Sequence, residues 1–73
     1  MNSFQDIIDA NGGPNKFYRL AGIPQTTAHT WYNRNRIPAN HWYSLMVNPL
    51  LKMPSAKKLI QIAGDAKNEA LDR

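Results

Sequence analysis

The chain alternates between short helical patterns and breaks that contain glycine or proline. Phe4, Ile7 and Ile8 are spaced i, i+3 and i+4, and Ser3 precedes them as an N-cap, which predicts a first amphipathic helix. The run Asn11-Gly12-Gly13-Pro14 ends this helix, because glycine closes helices in the left-handed conformation and proline is tolerated in the first turn of the next one. No strand-like alternation and no internal repeat occurs in the sequence, so we predict an all-α fold.

A second helix is predicted over about 14–21, and a third over about 24–34, with Gly22 as the break between them. The third helix is unusually polar. It places only Ala28 and Trp31 on an apolar face, and its three threonines lower its helix propensity, so packing on its neighbours has to hold it. Its uncharged polar side chains are suited to contact something other than water.

The second half of the chain predicts two further helices. One begins at Pro38 and the other at Ser55, and residues 47–53 form an irregular apolar connection between them. The core residues expected around the fourth helix are Ile37, Trp42, Leu45 and Met46. Those expected in the last helix, before a bend or stop at Gly64-Asp65, are Leu59, Ile60, Ile62 and Ala63. We expect residues 1–73 to form one domain of four to five helices, because 73 residues are too few for two cores.

The composition narrows the class of protein. Hydrophobic residues make up 42% of the chain, which is enough for a folded core, and the absence of cysteine excludes disulfides, cysteine zinc sites and thiol catalysis. No window approaches the roughly 20 apolar residues of a membrane span. The first 17 residues lack the basic start and the apolar run of a secretory signal. We therefore expect a cytoplasmic protein with no membrane contact.

The basic residues are concentrated in the middle of the chain. Residues 10–64 contain seven bases and no acid, whereas the acids lie in the two end segments. A positive field of this extent attracts a polyanion and steers its approach. The alternative is a scatter of solvated surface lysines and arginines.

Two short helices joined by a glycine-containing turn, the second of them polar and flanked by arginines, are typical of a helix-turn-helix unit. The major groove of B-DNA, about 12 Å wide, admits one helix. The motifs to compare with known families are the stretch 17–31, the lead-in Ile7-Ile8-Asp9-Ala10-Asn11-Gly12-Gly13, the Gly22-Ile23 turn, Trp31 and the trailing Arg36-Ile37-Pro38. With these motifs the chain resembles the Cro/CI-type helix-turn-helix repressor family of phages and prophages, which includes small antitoxin-like relatives.

The resemblance covers about residues 4–46 and implies a lambda-repressor-like fold with the helix-turn-helix over about 14–34. The chain departs from the family pattern at Tyr18, where a small residue is usual, and at Pro24, where a serine cap is common. The Tyr18 ring either pushes the two helices apart or points outward. Both departures bear on the angle at which the third helix would enter a groove.

Two sets of residues are candidates for DNA contact. The resemblance, carried over position by position, implies the base-reading set, and the phosphate set follows from its place at the edges of the two-helix unit, where the bases have no adjacent acid. The base-reading set is Gln25, Thr26, His29, Thr30 and Asn33. The phosphate set is Asn15, Lys16, Arg19, Arg34, Asn35 and Arg36. The alternative for each residue is a polar position on a solvated surface. Trp31 and Trp42 are expected in the core, and the positions of the three tyrosines do not decide their role.

The function implied is a sequence-specific regulator that binds double-stranded DNA as a homodimer and represses transcription by occluding a promoter, in the nucleoid of a bacterial host. Residues 47–73 are the candidate dimerisation or capping region. The alternatives are an excisionase-like architectural protein, an antitoxin, and a protein-interaction module that uses the polar third helix. We expect no enzymatic activity, cofactor, metal or small-molecule ligand, because the sequence contains no recognisable catalytic array and only two histidines to bind a metal.

Overall fold

The computed structural model describes the backbone of residues 2–71 and the side chains of residues 2–64. Within these residues it contains helices and no strand, which confirms the predicted all-α class. The five α-helices are α1 (Phe4–Ala10), α2 (Pro14–Ala21), α3 (Gln25–Arg34), α4 (Trp42–Met46) and α5 (Ala56–Leu71), and a 3-10 turn (Ala39–His41) leads into α4. None of these helices is both long and apolar enough to cross a membrane, as far as the described residues extend.

The ends of α1 follow from local side-chain chemistry. Ser3 is the N-cap, and its hydroxyl accepts a hydrogen bond from the Asp6 backbone N–H at 3.0 Å. After the helix, Gly12 has φ +94°, and a Cβ atom there would lie 2.5 Å from Cδ of Lys16. Only glycine fits this position without strain, so the α1–α2 connection stays tight.

The turn between α2 and α3 is closed by Gly22, which is left-handed with φ +71°. The backbone N–H groups of Gly22 and Ile23 both donate to the carbonyl of Tyr18, at 3.0 and 3.2 Å. Pro24 is the N-cap of α3 and lies just outside the helix, so α3 begins one residue later than predicted. The two helices pack against each other.

The core lies where α1, α2 and α3 meet, and the second half of the chain covers it. Its buried hydrophobic residues are Phe4, Ile7, Ile8, Phe17, Ala28, Trp31, Ile37, Leu45, Leu51, Leu59 and Ile62. The Phe17 and Trp31 rings pack edge to face with centroids 6.4 Å apart. The Trp42 indole N–H donates to the Ile37 carbonyl at 2.8 Å while its ring packs against the core. The prediction that both tryptophans serve the core is confirmed.

Three expectations for the second half are wrong. Met46 is 38% exposed because α4 has only five residues, and the two that it turns inward are Leu45, which is buried, and Trp42, which packs against the core. Ile60 is 63% exposed because it follows Leu59 by about 100° around the helix, away from the stripe that Leu59 and Ile62 share. The fourth helix begins at Trp42 and not at Pro38, because residues Ala39–His41 form a 3-10 turn. The last helix continues past Gly64 to Leu71, since a glycine inside a helix costs only about 1 kcal/mol.

Candidate functional site

The third helix presents one polar face to solvent. Ala28 and Trp31 are buried on the opposite side. With 3.6 residues per turn, the five predicted base-reading residues fall on the half of the cylinder that faces away from those two. This α3 polar face consists of Gln25, Thr26, His29, Thr30 and Asn33. His29 is half-buried and the other four side chains are exposed, so the structure brings the whole predicted set together on one accessible surface.

The predicted phosphate set flanks this helix. Lys16 and Arg19 are exposed on α2, and Arg34 and Arg36 are exposed at the end of α3 and just beyond it. The acids of α1 have partners of their own: Asp6 accepts the Asn2 backbone N–H at 3.0 Å, and Asp9 accepts the Tyr32 hydroxyl at 3.2 Å. The hydrogen bond to Asp9, with desolvation and the negative charges of Asp9 and Asp6, raises the pKa of Tyr32 above its ordinary value.

Asn15 is linked directly to the α3 polar face. Its Oδ1 lies 3.0 Å from Nε2 of His29. An amide oxygen can only accept, so His29 donates through Nε2–H and its Nδ1 remains the ring nitrogen with no assigned partner among the described residues. The Asn15 amide nitrogen is likewise left for an outside acceptor. The pair therefore fixes the orientation of a polar group from each helix at the surface.

Arg19 lies over the ring of Tyr18. Its guanidinium carbon is 5.7 Å from the ring centroid, and its Nε donates to the Tyr18 hydroxyl at 3.2 Å. This hydrogen bond is the main reason that the pKa of Arg19 is raised above its ordinary value. Tyr18 is half-buried against the core. It thus supports a cation at the surface while α2 and α3 remain packed on each other.

Asn35 has a structural task at the end of α3. It is left-handed, with φ +52°, and this lets the Arg36 backbone N–H return to the Trp31 carbonyl at 3.0 Å. Its Oδ1 accepts the Gln5 backbone N–H at 3.0 Å, and the Gln5 side chain donates to the Tyr32 carbonyl at 2.8 Å. Asn35 therefore holds α3 to α1, and only its amide nitrogen remains for a phosphate.

No family model, curated protein or solved structure matches this chain. Any role for this site therefore has to be inferred from its own residues. Among the residues that the structure describes, no group of three histidine, cysteine or carboxylate side chains is placed to hold a metal ion. The side chains gathered here are hydrogen-bonding and cationic, and such groups can donate hydrogen bonds to an anion.

Two features of the site are not readable from the sequence. The Asn15–His29 pair joins residues 14 positions apart, and only the packing of α2 on α3 brings them together. The other is an open cleft at the end of α3, lined by Thr30, Trp31, Arg34, Arg36 and Pro38. The spacing of Trp31 and the two arginines is visible in the sequence, but nothing in the sequence indicates that a core tryptophan also lines a cleft.

Proposed function

We propose that this protein is a sequence-specific regulator of the Cro/CI helix-turn-helix type, which inserts α3 into the major groove of double-stranded DNA. The observation that carries the proposal is the α3 polar face. Five uncharged polar or imidazole side chains share one side of a helix whose opposite side is anchored by Ala28 and Trp31. A helix that is anchored on one side and offers hydrogen-bonding groups on the other meets the requirement for reading base edges.

The residues of this face fit specific roles at base edges. Gln25 stands at the start of α3, where its amide can pair with N6 and N7 of adenine. The methyl groups of Thr26 and Thr30 suit the methyl group of thymine. The Asn15–His29 pair offers an acceptor at His29 Nδ1 and a donor at the Asn15 amide. Asn33 lies furthest along the face, next to the arginines.

The flanking bases supply the sequence-independent part of the binding. Lys16 and Arg19 would contact phosphates from α2, and Arg34 and Arg36 from the far end of α3. Each neutralised phosphate releases counterions, so four such contacts predict a salt slope of about −3.6 in log K against log salt concentration for B-DNA. The lack of any acid between residues 10 and 64 favours this role over a mixed-charge surface.

Exposed apolar side chains in the second half of the chain support a homodimer on DNA. Tyr43, Val47, Leu50 and Ile60 are each 59–76% exposed, and Met46 is 38% exposed. Val47 and Leu50 lie in the predicted connection and Ile60 in the last helix. A second copy that covers them would remove apolar surface from water and place two α3 helices on one face of the duplex. Such a dimer represses most simply by occluding a promoter.

Selection of bound duplexes from a random DNA pool at about physiological salt tests the proposal. An inverted repeat, with half-site centres about 34 Å apart, is the expected result. Retention that depends on salt but yields no consensus would instead indicate an architectural protein. No retention at any salt concentration would refute DNA binding and favour a protein-interaction module, whose affinity for a partner with a hydrophobic interface would depend far less on salt.

A further inference from the structure

The indole of Trp31 has an unused hydrogen-bond donor. The residue is 6% exposed, and its Nε1 has no hydrogen-bond acceptor among the described residues, in contrast to Nε1 of Trp42, which donates to Ile37. No fully buried side-chain nitrogen or oxygen in the described part of the chain lacks a partner. The Trp31 Nε1 is therefore not fully buried, and Trp31 is one of the residues that line the cleft at the end of α3.

That cleft has a volume of about 320 Å³, and four of the five side chains that line it carry a hydrogen-bond donor. Arg34 follows Trp31 by three positions and Thr30 by four, so the three side chains are neighbours on α3. Arg36 is brought to the same place by the left-handed Asn35, because the Arg36 N–H returns to the Trp31 carbonyl. Among the side chains that the structure describes, no carboxylate lines the cleft.

We infer that this cleft is a phosphate-binding site in which the Trp31 indole N–H is a ligand together with Arg34, Arg36 and the Thr30 hydroxyl. Two guanidinium groups supply charge-assisted hydrogen bonds, and the indole supplies one donor whose position is fixed by the core. A nearly buried donor needs little ordering when the anion binds, unlike the free arginine side chains. Trp31 would thus set where one phosphate sits relative to the α3 polar face.

The chemistry recognised is a phosphate monoanion or dianion, whether free or in a nucleic-acid backbone. That the occupant in the cell is a DNA phosphate rests on the proposed function. Because the site is built from groups of this chain alone, inorganic phosphate can probe it without DNA.

The test uses the two indole N–H signals of the ¹⁵N-labelled protein, one for each tryptophan. The signals are assigned with the variant Trp42→Phe, and sodium phosphate is titrated at fixed pH against sodium chloride of equal ionic strength. The Trp31 signal is expected to shift in a saturable way with phosphate only, while the Trp42 signal, whose N–H already donates to Ile37, serves as the internal reference. Arg36→Gln should raise the half-saturating concentration about 10-fold, equivalent to about 1.4 kcal/mol, whereas Lys57→Gln, an equal charge change at an exposed position of α5, should not.

A Trp31 signal that behaves alike in phosphate and chloride, or that responds equally to both charge variants, would overturn the assignment. Repeating the measurement with a short duplex separates this site from the proposed function. If the protein binds DNA but the Trp31 indole N–H signal does not shift, the cleft is not a phosphate site and the proposed function still stands. If the Trp31 signal responds saturably to phosphate but the protein binds no DNA, the phosphate site stands and the proposed function fails.

Discussion

Replacing Asn11 with alanine is expected to detach the apolar connection from the first half of the protein. Asn11 is 6% exposed and follows α1. Its Oδ1 accepts the Lys52 backbone N–H at 2.7 Å, and its Nδ2 donates to the carbonyls of Ile7 at 2.8 Å and Lys52 at 3.0 Å. One side chain thus closes a link across 41 residues and satisfies both backbone groups of Lys52.

The size of the effect follows from these three hydrogen bonds. At about 1 kcal/mol each, their loss lowers the free energy of unfolding by about 3 kcal/mol. A chain of this length is stable by only about 4–11 kcal/mol, so the loss is a large share of the total. For so small a domain it corresponds to a fall of roughly 12–24 °C in Tm. The backbone at Asn11 has φ −103°, which alanine adopts freely, so no strain adds to the estimate.

Urea denaturation followed by circular dichroism measures the change. Asn40→Ala is the matched control, because Asn40 is exposed, and it should lie within about 0.5 kcal/mol of the wild type. Asn11→Asp keeps the acceptor for Lys52 but places a nearly buried negative charge against the carbonyl oxygens of Ile7 and Lys52, so it should be at least as unstable as Asn11→Ala. If Asn11→Ala were as stable as the control, the connection would be held by its apolar packing alone.

Four further outcomes are expected. Gln25→Ala should relax the sequence preference at one base position at a cost of about 1–3 kcal/mol, measured by competition between duplexes that differ at that base, and an unchanged preference would contradict the role. Arg19→Ala should weaken binding to all sequences alike and reduce the magnitude of the salt slope by about 1, measured by titration at several salt concentrations; a loss confined to one sequence would not fit. Because the pKa of Tyr32 is raised, its hydrogen bond to Asp9 stabilises the fold below about pH 10 and is lost as the pH rises through the folded-state pKa. In urea melts the wild type should therefore lose its stability advantage over Tyr32→Phe above that pH. A difference that stays constant with pH would argue against the bond. Leu50→Asp should leave the protein folded but monomeric on DNA in sedimentation measurements, and an unchanged dimer would place the interface elsewhere.

The first half of the fold was predictable because its signals are local. The Ser3 cap, the Pro14 start and the Gly22 stop each act within one helical turn, and the observed bounds of α1 and α2 match them. The second half depends on packing between distant residues. Periodicity alone ranks Ile60 with Leu59 as apolar positions of one helix, but only the placement of α5 on the body decides which of the two is covered.

The candidate site divides in the same way. A 3.6-residue period is enough to place Gln25, His29 and Asn33 on one side of α3, opposite Trp31, and the structure has them there. The period says nothing about a partner on another helix, so the contact of His29 with Asn15 was not foreseen. The same holds for Trp31, since the sequence does not indicate that a residue expected in the core also lines a cleft.

The asparagines show why side-chain type does not separate a ligand from a structural residue. Asn11, Asn35 and Asn48 all carry the same amide, and each uses it to hold distant backbone, Asn48 by donating to the Leu20 carbonyl at 2.9 Å. A short polar side chain that satisfies backbone groups is equally suited to bind a phosphate. The sequence predicts a phosphate contact for Asn35, yet its oxygen accepts the Gln5 N–H and its left-handed backbone returns Arg36 to the end of α3. Its contribution to binding an anion would therefore come chiefly from where it places Arg36 rather than from a contact of its own.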